Sequence, residues 1–176
     1  MKTLIATLTL VVALVGTASA QHHGSWEVVQ ATGGGKFFVA FTSSENGDML
    51  RYLCGAERCA WALTSRTPCD SSGGYGALAS KTPGGSQFFE MKCMGEAPGT
   101  GWFDVVFLDQ EAATQMIREK GVIGFAVALE SGRFKVSRFV TEGAVAAMWE
   151  AERKAQTKTG TPGTPAVRRG PKDEVL

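Results

Sequence analysis

Histidine is almost absent from this chain. Only His22 and His23 are histidines, and both lie near the N-terminus. Ser-His-Asp and Cys-His sites depend on a histidine that takes the proton of the nucleophile. Because the body of the chain has none, hydrolases that use these sites are excluded.

Long apolar runs are also scarce. The only one covers residues 4–15, between Lys2 and an A-x-A cleavage pattern at residues 18–20. This arrangement is typical of a secretory signal peptide, and the run is shorter than the ~20 residues that span a bilayer. We therefore expect residues 1–20 to be removed and the mature chain to begin at Gln21. The protein is then periplasmic or secreted, with no membrane span in its mature form.

An excess of charge of either sign is lacking as well. The chain has 18 Lys and Arg against 17 Asp and Glu, and removal of Lys2 with the signal leaves 17 of each. A balanced surface gives no electrostatic attraction to nucleic acid or to an anionic membrane. Nucleic acid is therefore not expected as a partner.

The cysteines are few but informative. The mature chain contains four of them, at Cys54, Cys59, Cys69 and Cys93. An even number in an exported protein predicts two disulfides, with buried free thiols as the alternative. Two strands over 49–54 and 59–64, joined by a four-residue loop, bring Cys54 opposite Cys59, which leaves Cys69–Cys93. A zinc site is disfavoured, because the spacing lacks a C-x2-C pair and no histidine is near.

Periodicity predicts an α+β fold that is mainly an antiparallel sheet or sandwich of about seven to nine strands, with two helices and two disulfides. Strands are predicted over residues 26–29, 36–42, 49–54, 59–64, 75–80, 87–94, 102–108, 122–129 and 134–140. Both faces of the strand at 122–129 are apolar, so we expect both to be covered, and its small-residue face is one that a helix could lie against.

Helix-capping residues and apolar residues at helical spacing predict two helices. Asp109 is a good N-cap for the first helix, which ends near Gly121, and Thr141 precedes the second, whose apolar stripe includes Ala147 and Met148. The composition changes to Thr, Gly, Pro and charge after residue 156. We therefore predict one β-rich domain over 21–156 and a disordered tail over 157–176.

The mature N-terminus is a candidate metal site. A chain that begins at Gln21 offers its amine, two backbone amides and the imidazole of His23 as four nitrogens in a plane, the geometry that Cu(II) and Ni(II) prefer. His22 stands beside it. The alternative is an unstructured N-terminus with incidental histidines, and no other cofactor is expected.

Aromatic residues are the candidates for a ligand or partner surface. Trp61 and Trp102 could line a groove, although core packing suits both better. Tyr75 ends a loop over 67–75 that would be the inserting element of an enzyme inhibitor.

The order of parts resembles the invasion associated locus B family of exported bacterial proteins. The likeness lies in the signal peptide, an early strand at Trp26, cysteines in the first half, then a helix and a hairpin. It is best at the end, where Gly132-Arg133-Phe134 leads through Ser137-Arg138-Phe139 to Gly143-Ala144 and Ala147. The resemblance implies an exported, non-enzymatic, β-rich protein, sometimes tied to host-cell interaction. It carries over no site residues.

Three hypotheses of function follow. The leading one is a binding or accessory protein of the periplasm or cell surface, without catalysis, whose partner is another protein of the envelope or host. The second is a protein inhibitor of an exported enzyme such as a lysozyme. The third is a hydrolase that uses carboxylates such as Asp104, Asp109 and Glu111, although Asp109 and Glu111 suit a helix start better.

Overall fold

One antiparallel sheet dominates the computed structural model, which describes residues 20–31, 37–69, 75–128 and 133–157. Within these ranges there are ten strands and two helices. The strands are β1 (Gln21–His23), β2 (Trp26–Gln30), β3 (Phe38–Ser43), β4 (Met49–Cys54), β5 (Cys59–Ser65), β6 (Tyr75–Thr82), β7 (Ser86–Glu96), β8 (Phe103–Phe107), β9 (Val122–Ala128) and β10 (Phe134–Val140), and the helices are α1 (Gln110–Arg118) and α2 (Ala144–Thr157). The predicted α+β class is confirmed, and the sheet has one strand more than the expected range.

The strand order is β1-β2-β3-β4-β5-β8-β7-β6-β9-β10, and every neighbouring pair is antiparallel. The first five strands form a simple meander. One of its turns contains Gly47 at φ +83°, as expected for an Asn-Gly hairpin signal. The chain then returns so that β8 pairs with β5 and β6 pairs with β9.

The sheet curls until its two ends approach each other. Trp26 donates its indole N–H to the carbonyl oxygen of Val140 over 2.9 Å, and Asn46, in the β3–β4 turn, reaches the carbonyl oxygen of Val136 over 3.4 Å. Among the described residues β10 pairs with β9 alone, so no strand pairing closes this junction. We call the junction the seam.

The core lies on the inner face of the curled sheet, where the two helices fill one end. Its largest fully buried side chains include Trp26, Trp61, Phe89, Phe107, Phe125, Phe139, Leu50, Ile117 and Met148. Phe125 contacts the rings of Phe89, Phe107 and Phe139, with centroids 5.3–6.4 Å apart. Close packing of these aromatic rings joins strands from both halves of the chain.

Helix α1 is fixed at both ends by side chains. Asp109 accepts a hydrogen bond from the amide of Ala112 over 2.9 Å, which confirms the predicted N-cap. At the other end the buried ammonium of Lys81 donates to the carbonyl oxygens of Met116, over 2.5 Å, and of Glu119. A cation at the C-terminus of a helix suits its dipole. Burial lowers the pKa of Lys81, against the pull of the Glu119 carboxylate.

The prediction that a helix covers the small-residue face of β9 is wrong. Ile123 and Phe125 point into the core, but Gly124 and Ala126 are partly exposed and Ala128 is exposed. Helix α2 packs on β2, β3 and β4 instead. The buried alanines of α2 belong to the same core cluster as the large side chains Tyr52, Phe38 and Trp26 of those strands.

Several predictions concern residues outside the described ranges. These are the signal peptide up to residue 19, the tail from residue 158 and most of the 67–75 loop. Helix α2 itself continues to Thr157, one residue past the predicted domain end. No helix in the described ranges is long and apolar enough to cross a membrane.

Candidate functional site

Both predicted disulfides are present. Cys54 and Cys59 close the β4–β5 hairpin with their Cα atoms 4.1 Å apart, and Cys69 is joined to Cys93 of β7 with a Cα separation of 5.8 Å. All four cysteines lie in the described ranges and none of them is free. The alternative of buried free thiols is therefore wrong.

Trp61 does not belong to a partner surface. It is fully buried, 4.6 Å from the ring of Tyr52 and 5.9 Å from that of Trp26 between centroids. Its indole N–H donates to the hydroxyl of Thr114 over 2.9 Å, which satisfies its polar atom. The core-packing alternative is correct because Trp61 lies on the inner face of β5, under the helices.

Trp102 and Tyr75 are half-buried and lie in different surroundings. The guanidinium of Arg66 lies 4.9 Å from the ring centre of Trp102, in a cation–π contact. Tyr75 instead lines a small cavity at the end of the sheet that is opposite the helices. Burial raises the pKa of Tyr75, and the nearby carboxylate of Asp48 adds to the rise.

That cavity is closed by a polar cluster, which we call the mouth cluster: Asp48, Ser65, Thr67, Lys135 and Ser137. The ammonium of Lys135 lies 2.8 Å from a carboxylate oxygen of buried Asp48, and it donates to Ser65 over 2.9 Å and Thr67 over 3.0 Å. Ser137 donates to the other oxygen of Asp48. The cavity measures about 30 Å³, which is room for about two waters.

The mouth cluster is a closed network of hydrogen-bonded side chains. Each of its charged groups is paired inside the cluster, and a small-molecule ligand site needs a far larger cavity, of about 300–1,000 Å³. This cluster could not be predicted from local sequence patterns, because Asp48 and Lys135 are separated by 87 positions. Its geometry holds the start of β10 to the β3–β4 turn.

The candidate carboxylates have structural partners. Asp104 pairs with Arg51 over 3.2 Å and accepts from Thr64 over 2.5 Å. Asp109 caps α1, and Glu111 lies in the first turn of that helix and accepts from Gln115 over 3.4 Å. The three carboxylates therefore serve the sheet and the helix start, and they do not face one another across a cleft.

The two histidines lie in β1, opposite the start of β2. His22 pairs with Glu27 and His23 with Trp26 in the strand register, and the His22 ring lies 3.9 Å from the Glu27 carboxylate. A copper chelate would wrap the backbone of residues 21–23 around the ion, so it would require β1 to leave β2. In the described ranges no group of three or more His, Cys, Asp or Glu could hold a metal. The copper site stays a prediction.

One row of residues on the outer face of the second half of the sheet is apolar. Register places Val136, Ala126, Leu78 and Phe88 in one row across β10, β9, β6 and β7, and Phe134 lies beside the row. Phe134, Phe88, Leu78 and Val136 are 69%, 64%, 49% and 42% exposed. We call these five residues the apolar face.

A cleft of about 310 Å³ follows the seam next to the apolar face. One wall is polar, from Ser43 to Asn46 in the β3–β4 turn. The other wall is formed by β10, chiefly Val136, Arg138 and Val140. The sequence could not predict this cleft, since it exists only because β10 stops short of pairing with the first half of the sheet.

No protein-family model, curated protein or solved structure matches this chain. The geometry of the described residues therefore carries the functional inference.

Proposed function

We propose that this protein is an exported, non-enzymatic binding protein that docks a partner protein on its apolar face. The observation that carries the proposal is the row of exposed aromatic and aliphatic side chains on one continuous sheet surface. The largest contiguous apolar patches on folded proteins often mark interaction sites.

The rigidity of the apolar face supports this use. Its residues lie on four hydrogen-bonded strands, so docking orders little new backbone. Gly76 leaves room for the ring of Phe88, because a Cβ at that position would overlap it. Aromatic anchors on a rigid frame are typical of the residues that dominate binding energy at interfaces.

Export is supported by three features. Two disulfides fit an oxidising extracellular compartment. The signal-peptide pattern ends at residue 20, and β1 begins at Gln21, the predicted mature N-terminus. The resemblance to the invasion associated locus B family points the same way, and it suggests a partner of the envelope or host.

A binding role is favoured over catalysis because the buried and half-buried charged groups that sequence and structure single out are engaged with one another. The Asp48–Lys135 and Arg51–Asp104 pairs are both inside hydrogen-bonded networks. A general acid or base needs a group that can exchange its proton with a substrate.

Site-specific photo-crosslinking tests the proposal in the cells that export the protein. A photoreactive amino acid replaces Phe88 or Phe134 on the apolar face. Trp149, on the outer side of α2, is a matched control because it is an aromatic residue of similar exposure, 65% against 64% for Phe88. We expect a discrete protein adduct from positions 88 and 134 and none from position 149.

Two outcomes would contradict the proposal: no adduct from positions 88 and 134, or the same adducts from all three. The identity of the adduct also bears on the kind of partner. An exported hydrolase whose activity falls on binding would favour the inhibitor hypothesis, and a structural envelope or host protein would favour an accessory role.

A further inference from the structure

The free edge of β10 offers backbone hydrogen bonds to the seam cleft. Thr141 donates its amide to the carbonyl of Gly121, on the β9 side, over 2.9 Å. Backbone groups in an antiparallel ladder alternate in direction, so those of Ser137 and Phe139 also face β9, and those of even-numbered residues face away. The contacts of the Val136 and Val140 carbonyls across the seam agree with this alternation.

Arg138 is the middle residue of this free edge. Its N–H and C=O therefore point into the cleft, between the two carbonyls that Asn46 and Trp26 already contact. The Asn46 contact, at 3.4 Å, is long for a hydrogen bond and readily replaced by a shorter one. An unpaired strand edge is a template for another strand.

The side chains along the same edge determine which strand could pair with it. Val136 and Val140 are 42% and 44% exposed on the outer face, on either side of exposed Arg138. The stem of Arg138 lies against Gly124, 3.6 Å from where a Cβ would stand, so no side chain of β9 covers it. The only acidic side chain that lines the cleft is Glu45 on the opposite wall, among the residues described.

We propose that the seam cleft takes an extended segment of the partner protein as an added strand along β10. The segment has an acidic residue opposite Arg138 and apolar residues two positions away on each side, opposite Val136 and Val140. The inference rests on the proposed function and names the manner of binding. Backbone bonds supply the attachment, and the alternating pockets supply the selectivity.

The probe is a fluorescent peptide with blocked termini and the sequence Thr-Val-Thr-Glu-Thr-Val-Thr. Its valines lie two positions on each side of the central glutamate, as the proposal requires. Binding to the mature full-length protein is measured by fluorescence polarisation. We expect a matched peptide with central lysine to bind at least tenfold more weakly, because it faces Arg138. In antiparallel pairing the residue opposite Arg138 donates its amide to the Arg138 carbonyl. A peptide with an N-methyl group on the central glutamate cannot make this bond and should lose binding.

Variants of the protein test the role of the β10 edge independently of the peptide. Arg138→Pro removes an N–H that points away from β9, so it spares the β9–β10 ladder, and we expect it to weaken binding at least tenfold. Arg138→Lys keeps the charge and the N–H and should retain most of the binding. The N-methyl peptide needs no protein variant, so the test does not depend on how Arg138→Pro folds.

The proposal is overturned if the glutamate peptide fails to bind, if the lysine and N-methyl peptides bind equally well, or if Arg138→Pro leaves binding unchanged. A dimer of the wild type that Arg138→Pro dissociates would also overturn it, because the edge would then hold a second copy. Crosslinking from position 88 separates the two proposals. Adducts that form there while the peptide does not bind would leave the partner-binding function standing.

Discussion

Strands β1–β5 and strands β6, β7, β9 and β10 belong to one sheet, yet their outer faces differ. In the first half Val39, Ala62 and Thr64 are buried although they point away from the core. Arg51 lies beside Ala62 and Phe41 in the register and pairs with Asp104, so its long side chain covers its neighbours. In the second half Phe88, Leu78 and Val136 of the outer row stay 64%, 49% and 42% exposed.

The difference shows that alternation alone does not decide exposure. Both halves alternate, and both carry apolar residues on the outside. Long charged side chains cover apolar surface with their stems. They do so in the first half, whereas the second half has alanine and glycine at Ala126 and Gly124 and leaves its aromatic rings in solvent. An apolar surface that is left exposed in this way is suited to binding a partner protein.

The largest effect is expected where the two halves touch. Gly143, just after β10, has φ +90°, and a Cβ there would overlap the carbonyl oxygen of His23 in β1. Gly143→Ala should lower the free energy of unfolding by more than about 4 kcal/mol, or prevent folding. Denaturant titration followed by tryptophan fluorescence measures the loss.

Gly47 supplies the control for backbone strain. Its φ is +83°, but an added Cβ meets nothing within 4 Å. Gly47→Ala should cost only about 1–2 kcal/mol. Equal losses in the two variants would mean that contact with β1 contributes nothing, and that the ends of the sheet are not held together at Gly143.

The next largest effect is the difference between the two disulfides in how much they stabilise the fold. Cys69–Cys93 ties the segment after β5 to β7 and spans 24 positions, whereas Cys54–Cys59 lies within the first half and spans 5. Loop-closure entropy gives about 3.5 kcal/mol for the longer loop and about 2 kcal/mol for the shorter. Replacing Cys69 and Cys93 by alanine should therefore lower the melting temperature more than replacing Cys54 and Cys59, and calorimetry would show the reverse order if this is wrong.

Lys81 extends the comparison of the two halves to the core, because it is a buried cation in the second half. Lys81→Met leaves the carbonyls of Met116 and Glu119 without their donor and should lower the free energy of unfolding by about 2–3 kcal/mol. The folded-state pKa of Lys81 lies below 10.5. Its contribution is therefore complete above the unfolded pKa and is lost as the pH falls through the folded one.

The gap in stability between wild type and Lys81→Met should accordingly widen as the pH rises from neutral towards 10.5. Urea titrations of both proteins across this range measure the gap. A gap that narrows with rising pH would mean that the charged form of Lys81 is favoured by folding.

The smallest effect concerns the two outer faces themselves. Phe134→Ser should change the free energy of unfolding by less than about 0.5 kcal/mol, because the ring is already in solvent. Phe41→Ser removes a half-buried ring that lies between Glu27 and Arg51 and should cost about 1–2 kcal/mol. Equal costs in thermal unfolding would remove the distinction between the faces.

Sequence patterns predicted most of the strands, because each one depends on local alternation. The bounds of β4 and β10 agree with the prediction to the residue. Strand β1 was missed because Gln21–His23 has no apolar alternation of its own, and its pairing depends on β2. The prediction of a helix over β9 was wrong because both faces of this strand are apolar in sequence. Such a pattern does not distinguish a face covered by a helix from one that faces solvent.

The sites were harder to predict than the fold. The disulfides followed from a short hairpin, which is a local feature. The mouth cluster and the seam depend on contacts between Asn46 or Asp48 and β10, some 90 positions later. Trp61 could be a surface or a core residue until the helices were seen to cover β5. Pairings over such distances are set by how far the sheet curls, and no local pattern records that.

Both disulfides join cysteines that are consecutive in the chain, the first with the second and the third with the fourth. In a chain that crosses a membrane N-terminus first, Cys59 is the first thiol to reach Cys54, and Cys93 is then the first to reach Cys69. An oxidase that joins thiols in their order of emergence makes these pairs directly, without an isomerase to exchange them. If the chain is exported as proposed, the order in which its cysteines pair lets translocation itself guide oxidation.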